Sequence, residues 1–456
     1  MKVVKFGGSS VANGEQIEKV VNIIRADAER RVIVVSAPGK RTDEDVKVTD
    51  LLLKYAHLIL SYAPVDNIIA EIMARYAQIA HRFGVVGELV AIRKTLVDLP
   101  QHQYPNSEYL IAAFTAHGEK LNALLITAVL NKSGVAARYV DPREAGILVT
   151  DEPRNARILS QSYAQIAQLS TTEILVVPGF FGYTKAGCIA TFARGGSDIT
   201  GSILARGLQA DLYENFTDVD AIYTANPHVV VNPVPIAKIT YREMRELAYA
   251  GFSVFHDEAL IPAIEGRIHV NIKNTNHPDL PGTLIVPESE MELTTSVTGI
   301  ASSNHFIALY LHRYLLNKEF GFTLKILNIL YRYGVSYEHM PSGIDDLTII
   351  FDSNQLDNET MELIATAIQA EVVPDTLQWV PDYAIIMVVG EGLSQYIGTL
   401  ERIIAPLAAS NVGLQMINKG ASRISIMIGV HESEADLAVQ QIYASFFSNV
   451  GKKVAI

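Results

Sequence analysis

A lysine followed at once by two glycines and two serines, in "KFGGSS" (Lys5 to Ser10), stands near the start of the chain. Apolar residues before the glycines predict a short buried strand, and apolar residues at helical spacing between Gly14 and Arg30 predict a helix after them. Backbone N–H groups at a glycine-rich turn and the positive end of a helix favour an anion, and a lysine adds charge. The stretch therefore predicts a phosphate site. A tight turn that needs glycine for its dihedral angles, with Lys5 in solvent, fits the same residues, so this stretch leaves both interpretations open.

A second cluster, "ATFARGGSDITG", runs from a predicted strand through Arg194 and two glycines into Ser197 and Asp198, where a helix begins. An arginine and an acid beside a glycine pair at the carboxyl end of a strand are typical of ligand sites in doubly wound sheets. Ser197 or Asp198 would also serve as a helix N-cap without any ligand. Both interpretations remain open.

Two further groups of polar residues adjoin predicted elements. Glu119 lies ahead of or within an amphipathic helix in "AHGEKLNALL". In "ENFTDVDAIYTANP", Thr217, Asp218 and Asp220 follow a predicted strand. Carboxylates in such a loop commonly satisfy the backbone of the turn, and the loop sequence does not separate this role from a functional one.

The composition narrows the class of protein. The chain has 456 residues, enough for two or three domains, with 49% hydrophobic and 19% charged residues, which is typical of an ordered globular protein. A formal net charge of −12 argues against a nucleic-acid-binding surface, which would carry a basic stripe. No apolar run approaches the roughly 18 residues of a membrane span, and the N terminus lacks the features of a signal peptide. We expect a cytoplasmic enzyme that binds neither nucleic acid nor membranes.

Other common cofactor motifs are missing from the sequence. Before Gly39 and Lys40, Val34 occupies the position of the first glycine of a P-loop, and "GEGLSQ" at Gly390 departs from the dinucleotide motif at its last position. Cys188 is the only cysteine, which excludes an intrachain disulfide and a cysteine metal cluster. Because the net charge is −12, a bound anion would depend on a few individually placed cations.

Residues 1–290 alternate apolar strands with amphipathic helices, the pattern of a mostly parallel sheet covered on both faces. This α/β region is predicted to be one catalytic domain, and the polar stretch "VPESEMELTTS" ends it. The predicted strands are Val32 to Ser36, Ile174 to Pro178, Ile189 to Phe192, Leu212 to Thr217 and His269 to Ile272. The predicted long helices are Thr49 to Tyr62, Val65 to Phe83 and Glu108 to Asn131.

The remainder of the chain repeats itself with an offset of 77 residues. Gly321, Val335, Met340, Gly343 and Leu347 recur, in the same order, as Gly398, Val412, Ile417, Gly420 and Ile424. Each copy reads as strand, helix, strand, turn and strand, with room for a closing helix and strand, which predicts two small α+β modules. We place them at residues 300–380 and 381–456, and leave open whether the last strand is shared between them.

Five segments, in order, resemble the aspartate kinases of the amino acid kinase family: "KFGGSSVA", "VVSAP" with "KVTDLL", "HGEKLNALL", "ARGGSDITG" and "TDVDAIYTANP". The 77-residue repeat resembles the tandem ACT modules of that family. The resemblance spans nearly the whole chain and implies a three-layer αβα amino acid kinase fold followed by two βαββαβ ACT modules. It also implies a monofunctional enzyme, since no homoserine dehydrogenase domain is expected after Ile456.

The family implies ATP- and Mg²⁺-dependent phosphorylation of the β-carboxylate of L-aspartate to 4-phospho-L-aspartate, the first step towards lysine, threonine and methionine. The attacking carboxylate is already ionised at neutral pH, so alignment and charge neutralisation suffice without a general base. Alternatives are an inactive amino-acid sensor on the same fold and a kinase for another amino-acid carboxylate. Mg²⁺ would bridge the phosphates, with no protein ligand that the sequence identifies.

The resemblance also assigns roles to residues. It implies that Lys5 contacts the transferring phosphates and that Asp198 orients Lys5. It implies that Arg194 binds the α-carboxylate of aspartate and Glu119 its α-ammonium group. Further substrate contacts are implied for Ser36, Thr49 and Ser197, and nucleotide contacts for Gly7, Gly8, Ser9, Thr217, Asp218 and Tyr223. The chain departs from the family pattern at His228 and Ser253, where basic residues near the nucleotide are common, and Lys238, Arg242 or His228 could compensate.

The first repeat resembles the effector-binding module of lysine-sensitive kinases. The implied effector-binding residues are Gly321, Phe322, Thr323, Ser336, Tyr337 and Glu338, with Glu338 facing the amine of the effector, which we expect to be lysine. The same residues could instead only build a dimer interface. ACT modules that pair side by side imply a homodimer or a dimer of dimers.

Overall fold

The computed structural model describes residues 1–193, 195–252, 254–293, 295–420 and 422–448, and these form two compact units. The N-terminal unit comprises Met1–Ile222, Pro235–Ala248 and Ser253–Met291. The C-terminal unit comprises Tyr223–Val234, Tyr249–Phe252 and Glu292–Ile456. In the described residues no helix combines the length and the apolar character needed to cross a membrane.

The N-terminal unit is built from alternating strands and helices. Its strands are β1 (Lys2–Phe6), β2 (Arg30–Val35), β3 (Ala137–Tyr139), β4 (Ile174–Pro178), β5 (Phe181–Tyr183), β6 (Ile189–Thr191), β7 (Leu212–Thr217), β8 (Lys238–Thr240), β9 (His269–Asn274) and β10 (Thr283–Val286). Its helices are α1 (Gly14–Ala26), α2 (Val48–Leu60), α3 (Asp66–Phe83), α4 (Glu88–Asp98), α5 (Ser107–Lys132), α6 (Ser162–Ile166), α7 (Gly196–Gly207), α8 (Tyr241–Tyr249) and α9 (Asp257–Gly266). The predicted strands and long helices are present, with ends that differ by one or two residues.

The central sheet of this unit has the strand order β3-β4-β2-β1-β7-β9-β10-β8 in the described residues. All neighbouring pairs are parallel except β9 with β10. The mostly parallel sheet of the αβα fold is therefore confirmed. The carboxyl ends of β1, β2 and β7 meet at one edge, which is where such sheets bind ligands.

Alternation along β1 sends neighbouring side chains to opposite faces of the sheet. Val4 and Phe6 pack into the large apolar core that α1 to α5 form on one face. Lys5, between them, points to the other face, where its ammonium group meets Asp198 of α7. The same alternation thus buries two apolar residues and directs one lysine towards the first turn of α7.

The C-terminal unit holds one five-stranded antiparallel sheet in its described part, with the order β12-β11-β13-β15-β14. Its strands are β11 (Gly299–His312), β12 (Asp346–Asp352), β13 (Thr376–Val389), β14 (Leu414–Asn418) and β15 (Ser425–His431). Its helices are α10 (Phe322–Arg332), α11 (Asn358–Glu371), α12 (Thr399–Ala409) and α13 (Ala435–Phe447). The sequence repeat is visible at the helix starts, because Gly321 and Gly398 both precede their helices with a left-handed φ, of 76° and 84°.

The two repeats differ in their second strand. After Val412 the chain forms β14, whereas the corresponding segment after Val335 makes only isolated bridges at His339 and Ser342 in the described residues. The prediction of a strand there is wrong for the first repeat. Pro341 occupies the place of Asn418 in the second repeat, and proline cannot donate the N–H that a ladder needs.

The long strand β11 serves both repeats. Its second half pairs with β12, while Gly299 to Ser303 pair with the carboxyl end of β13. Ile300 packs in the apolar core of the second repeat, together with Ile386 and Ile428. The second repeat thus takes one strand from residues at the start of the first repeat. Sharing of the last strand, after residue 448, lies outside the described residues.

Candidate active site

Lys5, Asp198 and Asn215 form a buried polar triplet between β1, β7 and α7. The Nζ of Lys5 lies 2.6 Å from Oδ1 of Asp198 and donates to Oδ1 of Asn215 at 3.3 Å. The amide nitrogen of Asn215 donates to Oδ1 of Asp198 at 2.8 Å. Lys5 and Asn215 are register partners on parallel strands, which brings their side chains together. The ammonium group is therefore held in one position by two oxygen acceptors.

Two alternatives that the sequence allowed are wrong. Lys5 is only 8% exposed, so it is not a surface lysine beside a turn. The N-cap of α7 is Gly195, so neither Ser197 nor Asp198 caps this helix. Instead, Asp198 lies in the first turn and directs its carboxylate at Lys5, while Ser197 beside it is buried.

The backbone N–H groups of the glycine turn after β1 are not equally available to a ligand. The N–H of Gly7 donates to the carbonyl of Phe216 at 3.0 Å, so this group is used within the fold. Gly8 and Ser9 line a pocket of about 570 Å³. An anion at this turn would therefore meet Gly8 and Ser9 before Gly7.

That pocket brings together six predicted site residues from distant parts of the sequence, whereas its lining does not include Lys5, Gly7, Ser197, Asp198, Thr217 or Tyr223. The lining also contains a charged segment that follows β2. The lining residues are Gly8, Ser9, Ser36, Ala37, Pro38, Gly39, Lys40, Arg41, Thr42, Asp43, Lys47, Thr49, Glu119 and Asp218. Arg194 lies outside the described residues, and its predicted contact with a substrate carboxylate stays a prediction.

Glu119 is the most perturbed acid of the pocket. It lies in the middle of α5 and is 5% exposed. Its Oε1 accepts a hydrogen bond from the N–H of Ala37 at 3.0 Å, whereas Oε2 is buried without a partner among the described residues. Burial raises the pKa of this carboxyl group to about 8. A ligand cation beside Oε2 would supply the missing partner and favour the ionised form.

Ser36 and Thr49 lie on either side of the segment that follows β2. Ser36 ends this strand region, and its carbonyl accepts a hydrogen bond from the side chain of Asn122 at 2.7 Å. Thr49 is in the first turn of α2, and both residues are half-buried at the pocket. Ser36 directly precedes Ala37, whose N–H holds Glu119, and a Cβ at Gly118 would lie 3.8 Å from the hydroxyl oxygen of Thr49.

The two acids of the loop after β7, Asp218 and Asp220, have different hydrogen-bond partners. Asp220 accepts hydrogen bonds from Asn274 at 2.6 Å and pairs with His277 at 2.7 Å, and the pKa of its carboxyl group is lowered mainly by His277. Among the described residues, the carboxylate of Asp218 accepts a hydrogen bond only from the hydroxyl of Thr217, at 3.2 Å, and Asp218 lines the pocket. The turn-satisfying role therefore fits Asp220, and Asp218 is available to a ligand.

Residues that could replace the missing basic groups near a nucleotide are less well supported. Tyr223 and His228 belong to segments of the C-terminal unit, and Ser253 lies outside the described residues. Lys238 donates to the carbonyl of Glu290 at 2.6 Å, so its charge is already engaged. The nucleotide role of Tyr223 stays a prediction.

The predicted effector residues lie around the start and the end of α10. Gly321 and Thr323 are exposed at its N terminus, while the side chain of Phe322 is buried in the core of the first repeat. Ser336 is bound through its backbone and hydroxyl to Gln355, at distances between 2.7 and 3.1 Å.

On the segment after α10, Tyr337 is 43% exposed. The carboxylate of Glu338 accepts a hydrogen bond from the hydroxyl of Tyr249. A ligand amine at Glu338 would therefore share this carboxylate with a tyrosine of the same unit. The effector site stays a prediction.

Sequence reasoning missed Asn215 and the segment 39–47. The signal for Asn215 was a polar residue inside the strand "LYENFT", which is otherwise largely buried. The signal for the segment was its density of charge, "GKRTDEDVK", directly after a buried strand.

Comparison with known proteins is consistent with this geometry. The family model described as "Amino acid kinase family" matches residues 1–274, and an "ACT domain" model matches residues 386–446. The chain is 47% identical over 452 residues to "Aspartokinase 3" of Bacillus subtilis, covering 99% of both chains. It is 25% identical to the "Lysine-sensitive aspartokinase 3" of Escherichia coli, over 98% of this chain and 99% of that protein.

Solved structures agree with the sequence comparisons. The aspartate kinase of Clostridium acetobutylicum superimposes with a TM-score of 0.85 at 37% identity, covering 98% of this chain and 100% of that one. The Escherichia coli aspartokinase III in complex with aspartate and ADP has the same fold, with a TM-score of 0.79 at 24% identity, over 98% and 100% of the two chains. The chain belongs to the aspartokinases of the amino acid kinase family.

Proposed function

We propose that this protein is an aspartate kinase, which transfers the γ-phosphoryl group of ATP to the β-carboxylate of L-aspartate and releases ADP and 4-phospho-L-aspartate. The observation that carries the proposal is one pocket with two unlike ends. A glycine turn beside the fixed ammonium group of Lys5 suits phosphates, and a buried, unpartnered oxygen of Glu119 suits an amine. The Bacillus subtilis relative named "Aspartokinase 3" supports the same activity.

The chemistry needs alignment more than proton transfer. The β-carboxylate of aspartate attacks the γ-phosphorus, the bond to the β,γ-bridging oxygen breaks, and the electron pair leaves with ADP. Two anions must approach each other, so positive charge at the transferring group lowers the barrier. Lys5 supplies that charge, and Asp198 with Asn215 keeps its Nζ in place. Asp198, bound to Lys5, acts as a positioning residue and not as a base.

Aspartate is recognised at the other end of the pocket. Glu119 accepts the α-ammonium group, and Arg194 forms a bidentate pair with the α-carboxylate. Ser36, Thr49 and Ser197 donate hydrogen bonds that complete the site. An ion-assisted hydrogen bond contributes roughly 1.5–3 kcal/mol, so loss of either charged partner weakens aspartate binding at least tenfold.

ATP is bound by Lys5, Gly8 and Ser9 at the phosphates and by Thr217, Asp218 and Tyr223 at the rest of the nucleotide, with Gly7 shaping the turn. Mg²⁺ prefers oxygen ligands and is commonly held by phosphates with one or two carboxylates. The oxygen chemistry of Asp218 at the pocket fits this ion. When bound, Mg²⁺ neutralises the phosphate charge that the aspartate carboxylate must approach.

Lysine is the proposed feedback inhibitor, bound near α10 by Gly321, Phe322, Thr323, Ser336, Tyr337 and Glu338, and the C-terminal units pair into a homodimer or a dimer of dimers. The lysine-sensitive relative in Escherichia coli supports this choice of effector. In the pathway, the acyl phosphate product must be consumed by a reduction or another reaction of an activated carboxylate. The proposed phosphorylation of aspartate is the first step towards lysine, threonine and methionine.

The deciding experiment incubates the protein with ATP, Mg²⁺ and aspartate and traps the acyl phosphate with hydroxylamine. We expect aspartate hydroxamate in amounts that follow ADP release. No product from folded protein would support an inactive amino-acid sensor instead. A panel that replaces aspartate by glutamate and other amino acids tests the second alternative, and preference for glutamate would overturn the aspartate assignment.

A further inference from the structure

We propose that residues 39–47, here named the strap, form an arm over the pocket, and that its Lys40 and Lys47 bind the β- and γ-phosphates of the nucleotide. Arg75 of α3 is the positioning residue that holds the strap in place. The inference rests on the proposed function, because it assigns two further cations to the phosphoryl transfer of the same site.

The start of the strap is packed directly on the phosphate turn. The N–H of Gly39 donates to the carbonyl of Gly8 at 2.8 Å. A Cβ at residue 39 would lie 2.5 Å from the carbonyl carbon of Gly8 and 2.8 Å from the nitrogen of Ser9, so only glycine permits this approach. The position of the strap and that of the phosphate turn are therefore coupled through backbone contact.

Arg75 ties both ends of the strap to α3. Its guanidinium donates to the carbonyl of Gly39 at the start and to the carbonyl of Val46 at the end, the latter at 2.6 Å. It also lies 3.2 Å from the carboxylate of Asp45. The arginine side chain is 3% exposed, so these contacts are shielded from water. One buried cation thus binds both ends of a nine-residue segment.

The strap carries three cations, Lys40, Arg41 and Lys47, and three acids, Asp43, Glu44 and Asp45, so its net charge is zero, but these groups differ in their partners. Arg41 forms a two-pronged pair with Asp45, at 2.7 and 3.1 Å, so this arginine is neutralised locally. Lys40 donates only to the backbone carbonyl of Asp43, at 3.1 Å. Lys47 makes no ion pair or side-chain hydrogen bond among the described residues. Two exposed ammonium groups without carboxylate partners therefore line the same pocket as Gly8 and Ser9.

Phosphate is the ligand that this arrangement fits best. The pocket already contains the acids Asp43, Glu119 and Asp218, and the flexible ammonium groups of Lys40 and Lys47 offset part of this negative charge where a multiply charged anion must enter. Lysine binds phosphate as a point charge on a flexible stem, which suits a group that changes position as it is transferred. The strap's contact with Gly8 places Gly39 against the phosphate turn, two residues after the Ala37 N–H that holds Glu119.

The test compares Lys40→Met, Lys47→Met and the double variant with Lys54→Met, a matched control. Lys54 is exposed on α2 and does not line the pocket. We expect the double variant to raise the KM for ATP at least tenfold, to lower kcat, and to leave the KM for aspartate within twofold. The control should match the wild type. In calorimetric titrations, the double variant should bind MgADP more weakly than the wild type does, whereas its affinity for AMP should not fall in the same way.

Three outcomes would overturn the inference. They are an unchanged KM for ATP in the double variant, an equal loss of MgADP and AMP affinity, and an increase confined to the KM for aspartate, which would assign the lysines to the acceptor. The MgADP titration needs no turnover, so it tests the strap even if the wild-type protein fails to phosphorylate aspartate. That failure would count against the proposed function alone.

The role of Arg75 is tested by a double-mutant cycle. Arg75→Met should weaken MgADP binding in the wild-type background and have no further effect in the Lys40→Met/Lys47→Met background, because it acts through those lysines. Arg82→Met, on the exposed side of the same helix, is the control. An equal loss in both backgrounds would show that Arg75 merely supports the fold. If Arg75→Met does not fold, Arg75→Lys, which cannot hold both carbonyls with a planar fork, is measured in its place.

Discussion

The substitution Glu119→Gln removes the charge of the buried acid while it keeps the shape of the side chain. In the ligand-free protein burial raises the pKa of Glu119 to about 8, so at pH 7 only about a tenth of the sites carry the carboxylate. The amine of aspartate binds the ionised form. The apparent aspartate affinity should therefore rise about tenfold from pH 6 to pH 7 and level off above pH 8, with release of about nine tenths of a proton per aspartate bound at pH 7.

The variant should lose this dependence on pH. Its amide side chain keeps an oxygen for the Ala37 N–H but offers no charge, so its KM for aspartate should exceed that of the wild type at least tenfold at pH 8.5 and approach it at pH 6. The raised pKa also means that the folded state loses stability as pH rises from 4.5 towards 8. Unliganded Glu119→Gln should therefore be more stable than wild type by on the order of 3 kcal/mol at pH 7.

Steady-state hydroxamate assays between pH 6 and 8.5, titration calorimetry in buffers of different ionisation enthalpy, and urea unfolding measure these quantities. Glu108→Gln, an exposed acid at the start of the same helix, is the control and should follow the wild type. A wild-type aspartate KM that stays flat over this range, or a variant with the wild-type slope, would refute the assignment of the amine to Glu119.

Lys5→Ala should depress kcat far more than it raises the aspartate KM, because Lys5 contacts the transferring group. Arg194→Ala should chiefly raise the aspartate KM, and steady-state kinetics with the reverse pattern would mean that the two roles are exchanged. Millimolar lysine should inhibit the wild type, and Glu338→Gln should raise the concentration needed at least tenfold; activity that stays flat with lysine, alone and with threonine, would remove the effector site. Arg30 pairs with Glu214 at 2.7 Å in the buried base of the sheet, so Arg30→Met should cost about 3–5 kcal/mol of unfolding free energy in urea with an unchanged KM for ATP; a smaller loss would mean that Glu214 finds another partner.

Much of the fold was predictable because its signals are local. The parallel sheet follows from apolar strands alternating with amphipathic helices, and the repeat follows from glycines 77 residues apart, both of which precede a helix with a left-handed φ. The absence of a strand after Val335 was not predicted, since that interpretation rested on the register match between the repeats and not on Pro341. The strand that β11 lends to the second repeat was also missed, because its pairing joins residues more than 80 positions apart.

The sequence by itself determined the family and the candidate site residues Lys5, Glu119, Asp198 and Asp218, since residue type and spacing carry that information. Only the tertiary structure decided which groups are free. In the structure Asp198 pairs with Lys5 and does not cap a helix. Asp220 and the N–H of Gly7 are hydrogen-bonded within the fold, whereas one oxygen of Glu119 has no partner among the described residues. Partners and burial arise from contacts between distant segments, and these set the charge and the availability of each group.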